Sequence, residues 1–181
     1  MEKKQQSKKL FIISILCVIV GIILDQYTKF LASSHLKEAP ISIIDGVFEL
    51  RYLENRGAAF GMLQNQQWFF LIIGTVFMIL IAVLYARLPQ EKRLLPLRIC
   101  MVLIAAGAVG NMIDRVRLNY VIDFLYFKLI DFPIFNVADI YVTVATFAVV
   151  LLILFYYKEE ELDQFFGKIS RKHKVKAEQE Q

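Results

Sequence analysis

The sequence predicts an all-α polytopic membrane protein with four transmembrane helices and a small β-hairpin outside the membrane. Of its 181 residues 57% are hydrophobic, and the mean hydropathy is +0.53. Soluble domains are about 45–50% apolar. Charged residues are absent from four runs, at residues 10–24, 57–86, 99–113 and 140–157. Because a membrane-crossing helix needs about 20 mainly apolar residues, the four runs leave no room for a separate soluble domain.

The composition also excludes several functions. The net charge is +4, but the basic residues flank hydrophobic segments, so no nucleic-acid partner is expected. Cys17 and Cys100 are the only cysteines, and both lie in apolar runs, which excludes a disulfide framework. There are two histidines and no HExxH motif, so we expect neither a metal site nor a cofactor.

The first helix is predicted at about residues 10–32. The lysines that precede it and its apolar run could also indicate a cleavable signal peptide, and Ser14-Ile15-Leu16-Cys17 faintly suggests a lipoprotein cleavage site. The small residues expected before that cysteine are missing, and the apolar run continues beyond it. We therefore expect an uncleaved helix.

The other helices are predicted at about residues 68–86, 97–116 and 137–157, with a cytoplasmic tail at about 158–181. Lysine and arginine are concentrated at the N-terminus, between helices two and three, and in the tail. Because short cytoplasmic segments are enriched in these residues, both termini are expected in the cytoplasm. The whole chain, residues 1–181, then forms a single membrane-embedded domain.

The first outer connection, at about residues 33–67, contains a hairpin signal. Residues 41–44 and 47–53 are strand-like and are separated by Asp45-Gly46, a typical tight-turn pair. Alternation places Phe48, Leu50 and Tyr52 on one face. We expect a small sheet on the outer membrane surface, where aromatic side chains are favourable.

Four aspartates lie in or beside the membrane segments, where a carboxylate is costly and indicates function by default: Asp25, Asp114, Asp123 and Asp139. The charge-free stretches that lead to Asp114 and from Asp139 span about 22 and 27 Å at about 1.5 Å per residue, so both acids are expected near the outer boundary. Asp123 reaches Asp139 only if the chain turns back or helix three continues at a tilt. The sequence leaves both possibilities open.

Asp25 and Lys29 have the i,i+4 spacing of a helical ion pair, so a structural role is favoured. Asp114 is followed by Arg115, which could satisfy its charge, and we interpret Asp114 as structural too.

Asp123 and Asp139 have no nearby cation in sequence. If they meet in a poorly solvated site, they can share one proton, so that the ionised acid activates water and the neutral acid polarises a carbonyl. This is the chemistry of aspartic proteases. The alternative for Asp139 is that it only caps helix four.

Small and amide residues accompany these acids. Gly107 and Gly110 permit close helix packing. Asn55, Asn111 and Asn136 could bind an extended peptide, or could equally join helices.

Together these stretches resemble the lipoprotein signal peptidase, or signal peptidase II, family of bacterial membrane aspartyl proteases. Five motifs occur in family order, namely Asp25-Gln26-Tyr27-Thr28-Lys29, Asn55-Arg56-Gly57-Ala58-Ala59-Phe60-Gly61, Gly110-Asn111-Met112-Ile113-Asp114-Arg115, Val121-Ile122-Asp123-Phe124 and Phe135-Asn136-Val137-Ala138-Asp139. Ala106 departs from a frequent glycine and should affect only packing.

The resemblance implies an endopeptidase of the bacterial cell (inner) membrane that removes signal peptides from prolipoproteins, cutting just before a diacylglyceryl-modified cysteine near the outer face. It maps the catalytic dyad onto Asp123 and Asp139. It maps contacts with substrate, or with peptide antibiotics such as globomycin, onto Asn55, Gly57, Asn111, Arg115 and Asn136. Membrane lipids are the other expected partners, and the outer loop is expected to form a β-cradle.

Two other functions account for part of the sequence. An ion-coupled transporter also carries intramembrane carboxylates, but near the midplane and often within inverted repeats, whereas here the acids gather at one face. A Ser/Lys protease could use Ser33 and Lys37, yet nothing else in the sequence supports that pair.

Overall fold

The structure is a computed structural model, and it describes residues 2–57, 63–158 and 161. The predicted tail from residue 158 onward therefore lies outside the described part except for Lys158 and Glu161. Phe60 and Gly61 of the second motif lie outside it as well.

Four long helices form the body of the protein: α1 (Glu2–His35), α2 (Gln67–Arg87), α3 (Leu95–Leu118) and α4 (Val137–Leu151). A π-helical turn, Leu152–Tyr156, extends α4, and 3₁₀ turns occupy Lys92–Leu94 and Lys128–Ile130. Each of the four helical segments is long and apolar enough to cross a membrane. The first helix begins at Glu2, earlier than predicted, because the lysine-rich segment continues the same helix.

Helix α3 is the centre of the bundle. Half of the most apolar 18-residue stretch of its helical segment is buried, whereas the buried share of the corresponding stretch is 6% in α1 and α2 and 11% in α4. The peripheral helices instead expose large side chains such as Ile23, Ile72 and Phe147. Since lipid tails solvate such side chains, these surfaces suit a membrane environment.

Glycines allow α3 to approach its neighbours. A Cβ at Gly107 would collide with the carbonyl oxygen of Ala138 on α4. At Gly110 a Cβ would meet the carboxylate of Asp25 on α1. Ala106 is fully buried, with its methyl group against Gly21. The small residues of α3 thus bring two polar helix faces together, as expected for membrane helix packing.

A three-stranded antiparallel sheet lies at one end of the bundle, in the order β1 (Ile41–Ile44), β2 (Phe48–Asn55), β3 (Val121–Tyr126). The first two strands are the predicted hairpin, and Gly46 adopts φ +73° in its turn. Leu50 and Tyr52 pack on a cluster that includes Phe124.

The third strand was not predicted. Helix α3 ends at Leu118, and Asn119 adopts the left-handed conformation with φ +61°, so that the chain reverses into β3. Asp123 pairs with Leu53 of β2, and Phe135 exchanges backbone hydrogen bonds with Leu125 at 2.9 and 3.0 Å. Of the two routes left open for Asp123, the structure therefore has the chain turning back, and β3 lies beside the start of α4.

Candidate active site

Asp123 is held within the third strand and is 1% exposed. Its Oδ1 accepts a hydrogen bond from Asn136 Nδ2 at 2.7 Å, and its Oδ2 accepts one from Asn55 Nδ2 at 2.8 Å. No cation forms an ion pair with it in the described part of the chain. Two neutral amides from two different elements therefore fix this carboxyl group.

Asp139 lies in the first turn of α4 and forms a capping box with Asn136. The Asn136 backbone N–H donates to Asp139 Oδ2 at 3.1 Å, and the Asp139 N–H donates to Asn136 Oδ1 at 3.0 Å. Asn111 Nδ2 on α3 donates to Asp139 Oδ1 at 2.8 Å. The capping role considered from the sequence is thus present, and it leaves the carboxyl group beside Asn111 at the cavity wall.

Both carboxyl groups face one cavity of about 1110 Å³ between the sheet and the helix ends. The polar part of its wall includes Asn55, Gly57, Asn111 and Arg115. Its apolar part includes Phe132, Phe135, Ile140 and Val144. An amide-rich wall beside an apolar wall suits a peptide that carries apolar groups.

Asn136 differs from the prediction that it contacts substrate. Its side chain is 0% exposed and lies behind the two carboxyl groups rather than in the cavity wall. Its Nδ2 also donates to Ile122 O and Asn111 Oδ1. Asn136 therefore positions both aspartates and has no free surface for a ligand.

Arg115 lies in the cavity wall but not in the ion pair suggested by its neighbour in sequence. Its guanidinium donates to Asn111 O at 3.3 Å and Gly57 O at 3.5 Å, and lies 4.8 Å from the ring centroid of Phe70. Its Nε is buried and has no hydrogen-bond partner in the described part. Adjacent residues on a helix point in different directions, which is why the Asp114–Arg115 pair does not form.

The predicted structural residues form a separate buried network behind the dyad. Lys29 Nζ lies 2.8 Å from Asp25 Oδ2 and 2.9 Å from Asp114 Oδ2. Asp25 Oδ1 accepts from the Ala138 N–H of α4, and Asp114 Oδ2 accepts from the Ile122 N–H of β3. None of the three charged side chains lines the cavity. They connect the helices and the strand that carry the two aspartates.

Sequence reasoning missed Gln67, a buried amide at the start of α2. Its Nε2 donates to Arg56 O at 2.7 Å, where the Asn65 N–H also donates at 2.8 Å. The Gly57 N–H in turn donates to Asn55 Oδ1 at 3.0 Å. Gln67 thus holds the backbone that carries Asn55, and a polar residue opening a strongly apolar helix was the available signal.

The alternative Ser/Lys pair has no support in the structure. The Ser33 hydroxyl donates to the backbone oxygen of Lys29 at 2.9 Å, as serines within helices commonly do. Lys37 Nζ lies 5.5 Å from the ring centroid of Tyr52. Neither side chain lines the cavity of the aspartates.

The pKa of Asp123 is that expected if Asp123 and Asp139 share one proton. Burial, and secondly the negative charge of Asp139, raise the pKa of Asp123 from 3.8 to about 7, against the opposing hydrogen bonds from Asn55 and Asn136. A carboxyl group with such a pKa can carry a proton at neutral pH.

The pH dependence of activity follows from this pKa. If Asp123 and Asp139 share one catalytic proton, both acids become anionic as the pH rises through about 7, and kcat/KM should decline about tenfold per pH unit. Because the folded pKa is raised, the stability contributed by this protonation is complete below pH 3.8 and is lost as the pH rises through about 7. A pH–rate profile of the purified enzyme measures the first effect. Activity that still increased between about pH 7 and 9 would contradict it.

Two aspartic carboxyl groups on one cavity, at the end of a four-helix membrane bundle, are the arrangement expected of a membrane-embedded aspartic endopeptidase. The comparisons with known proteins agree. The family model described as signal peptidase (SPase) II matches residues 17–155. The chain belongs to the signal peptidase II family and is a protease, which confirms the predicted family and enzyme class.

Its relatives include lipoprotein signal peptidases of Streptococcus pyogenes serotype M5 (strain Manfredo) and serotype M18 (strain MGAS8232). Each is 42% identical over 155 residues, which cover 85% of this chain and 97% of the relative. A solved bacterial membrane enzyme, determined by the in meso method at 2.3 Å resolution, is 31% identical with a TM-score of 0.70. That match covers 81% of this chain and 92% of the solved one, and it confirms the predicted fold class.

Proposed function

We propose that this signal peptidase removes signal peptides from prolipoproteins, cutting just before the diacylglyceryl-modified cysteine, with Asp123 and Asp139 as its catalytic dyad. The observation that carries the proposal is that one buried residue, Asn136, hydrogen-bonds to both carboxyl groups beside a single cavity, through its side-chain amide to Asp123 and through its backbone N–H to Asp139. The name of the Streptococcus relatives supports the substrate class.

The reaction needs one proton on the dyad. The ionised carboxylate takes a proton from water as the water oxygen bonds to the scissile carbonyl carbon, and the neutral carboxyl group donates its proton to the carbonyl oxygen. The tetrahedral diol then collapses. One hydroxyl proton passes to the acid that is now ionised, the C–N bond breaks, and the leaving nitrogen takes the proton that the other acid had accepted from water, which regenerates the singly protonated pair.

The remaining polar wall suits an extended peptide. Asn55 uses one N–H on Asp123, so its second amide proton can meet a substrate carbonyl. Arg115 lies in the same wall, and its buried Nε–H has no partner among the described residues. Gly57 lines the same cavity. Peptide antibiotics such as globomycin are proposed to occupy the same cavity.

The product of the reaction tests the function directly. A purified prolipoprotein carrying a diacylglyceryl cysteine should yield two fragments, one beginning with the modified cysteine, as measured by intact-mass spectrometry. A matched substrate with alanine in place of that cysteine is the control. Cleavage at another bond, or equal cleavage of the control, would contradict the proposed specificity.

The orientation is proposed from the basic residues. Both termini and the α2–α3 connection lie in the cytoplasm, and the sheet and the dyad lie near the outer face of the bacterial cell membrane. The support is the concentration of lysine and arginine in the cytoplasmic segments.

Reporter fusions test this orientation. Fusions at Lys92 and after the last residue should report a cytoplasmic location, and fusions at Asp45 and Lys128 an external one, because the positive-inside bias sets the direction of each crossing. Cysteine labelling of intact cells at Asp45 and Lys92 provides an independent control. An external C-terminus would overturn the orientation.

A further inference from the structure

The ammonium group of Lys29 is saturated by three acceptors from two helices. Its side chain is 2% exposed, and Nζ lies 2.8 Å from Asp25 Oδ2, 2.9 Å from Asp114 Oδ2 and 2.8 Å from Asn111 Oδ1. An ammonium has three N–H donors, and each has one partner here. Two partners make a structural ion network. The third is an amide that also contacts the dyad residue Asp139.

Lys29 determines which way the Asn111 amide points. The Asn111 oxygen accepts from Lys29 Nζ and from Asn136 Nδ2 at 3.1 Å, and both of these groups are donors only. A rotated amide would turn its own N–H groups against them. The Asn111 Nδ2 must therefore face Asp139 Oδ1, with the 2.8 Å contact observed.

The two dyad acids consequently have unequal surroundings. Asp139 lies in the first turn of α4, where the helix dipole favours a negative charge, and it receives an N–H from an amide whose orientation a cation fixes. Asp123 lies on a strand beside the start of α4 but not within a helical turn, and its two amide partners are Asn55 and Asn136.

The charged and titratable groups around the dyad come from three helices. They are Lys29 and Asp25 on α1, Asp114 and Arg115 on α3, and Tyr141 on α4, which faces Asp25. The second strand contributes the neutral Asn55. Of the two cations in this set, only Lys29 bonds to the side chain of an amide that donates to a dyad acid.

We propose that Lys29 is a positioning residue of the reaction. By fixing the Asn111 amide it keeps Asp139 as the ionised acid, the one that activates water, and leaves the single proton of the dyad on Asp123. This assignment rests on the proposed dyad and extends it by giving each acid its own role. It also extends the role of Lys29 beyond the structural ion pair.

A matched pair of variants isolates this role. Asp114→Asn and Asp114→Asn/Lys29→Met differ only at Lys29. Because position 114 is already neutral in both, the methionine leaves one buried carboxylate of the ion network, Asp25, without its cation instead of two. We expect kcat of the double variant to be about tenfold below that of Asp114→Asn, the size of effect typical of lost orienting partners, with KM nearly unchanged. The acidic limb of the pH–rate profile of the double variant should lie about one pH unit above that of Asp114→Asn. The reason is that Asp139 has lost the nearby lysine charge and the fixed orientation of the Asn111 amide.

A purely structural lysine would change thermal stability and leave the pH profile unmoved. A folded double variant with the acidic limb of Asp114→Asn and kcat within about twofold of it would overturn the role of Lys29. Activity in Asp123→Asn or Asp139→Asn would instead overturn the dyad itself, so the two failures are distinguishable.

A second measurement does not depend on a lysine variant. Infrared spectra of the protein labelled with ¹³C-aspartate, at pH 6, should show a protonated carboxyl band that is lost in Asp123→Asn. Loss in Asp123→Asn together with persistence in Asp139→Asn, where burial still raises the pKa of Asp123, supports the placement of the proton on Asp123. A band that persists in Asp123→Asn means that Asp139 carries the proton, and this result would overturn the assignment even if the double variant failed to fold.

Discussion

Replacing either Asp123 or Asp139 by asparagine should abolish cleavage while the protein still inserts and folds. An amide can neither take a proton from water nor share one with a second acid, so the loss should reach about 10⁴-fold, as for other residues that act as a unit. The change is isosteric, but each carboxyl oxygen accepts from an N–H donor, so the new NH2 group faces a donor and folding of each variant has to be measured. The measurement is kcat/KM of purified variants on one prolipoprotein.

Asp45→Asn makes a matched control. Asp45 is exposed in the hairpin turn and bonds only to Ser42 there, so the same chemical change should leave activity intact. Equal expression and equal melting temperatures of the three variants would separate chemistry from folding. If either Asp123→Asn or Asp139→Asn kept about a tenth of the wild-type activity, that residue would not belong to the dyad.

Cleavage should also depend strongly on the lipid attached to the substrate cysteine. The apolar cavity wall contains exposed Phe132 (46%), Ile140 (39%) and Val144 (57%), which suit acyl chains better than a polar sequence. Each buried methylene contributes about 0.8 kcal/mol, so four of them already account for about 3 kcal/mol, or about 100-fold in kcat/KM. The experiment compares one prolipoprotein with and without prior diacylglyceryl transfer.

Two variants of α4 localise this effect. Val144→Thr is nearly isosteric but polar, and it should raise KM for the lipidated substrate several-fold because it lines the cavity. Val150→Thr makes the same change on an exposed position of α4 outside the cavity wall and should leave KM unchanged. Comparable turnover of lipidated and unlipidated substrate would mean that recognition lies in the peptide alone.

The dyad and its lysine network depend on close helix approach. Gly107 and Gly110 on α3 bring Ala138 and Asp25 within contact, and this places Asn111 between Lys29 and Asp139. The sequence indicated the glycines as packing residues, but not which helices they join. Small residues permit an approach without specifying the partner.

The sequence by itself determined the four helices, the hairpin and the family, because hydropathy, charge placement and turn residues act locally and can be read along the chain. Only the tertiary structure decided how Asp123 meets Asp139. The reversal at Asn119, the third strand and the burial of Asn136 depend on pairing between distant segments. Asp114 pairs with Lys29 instead of Arg115 for the same reason. Sequence neighbours on a helix point in different directions, so a buried charge pairs with the opposite charge that the packed helices bring to it.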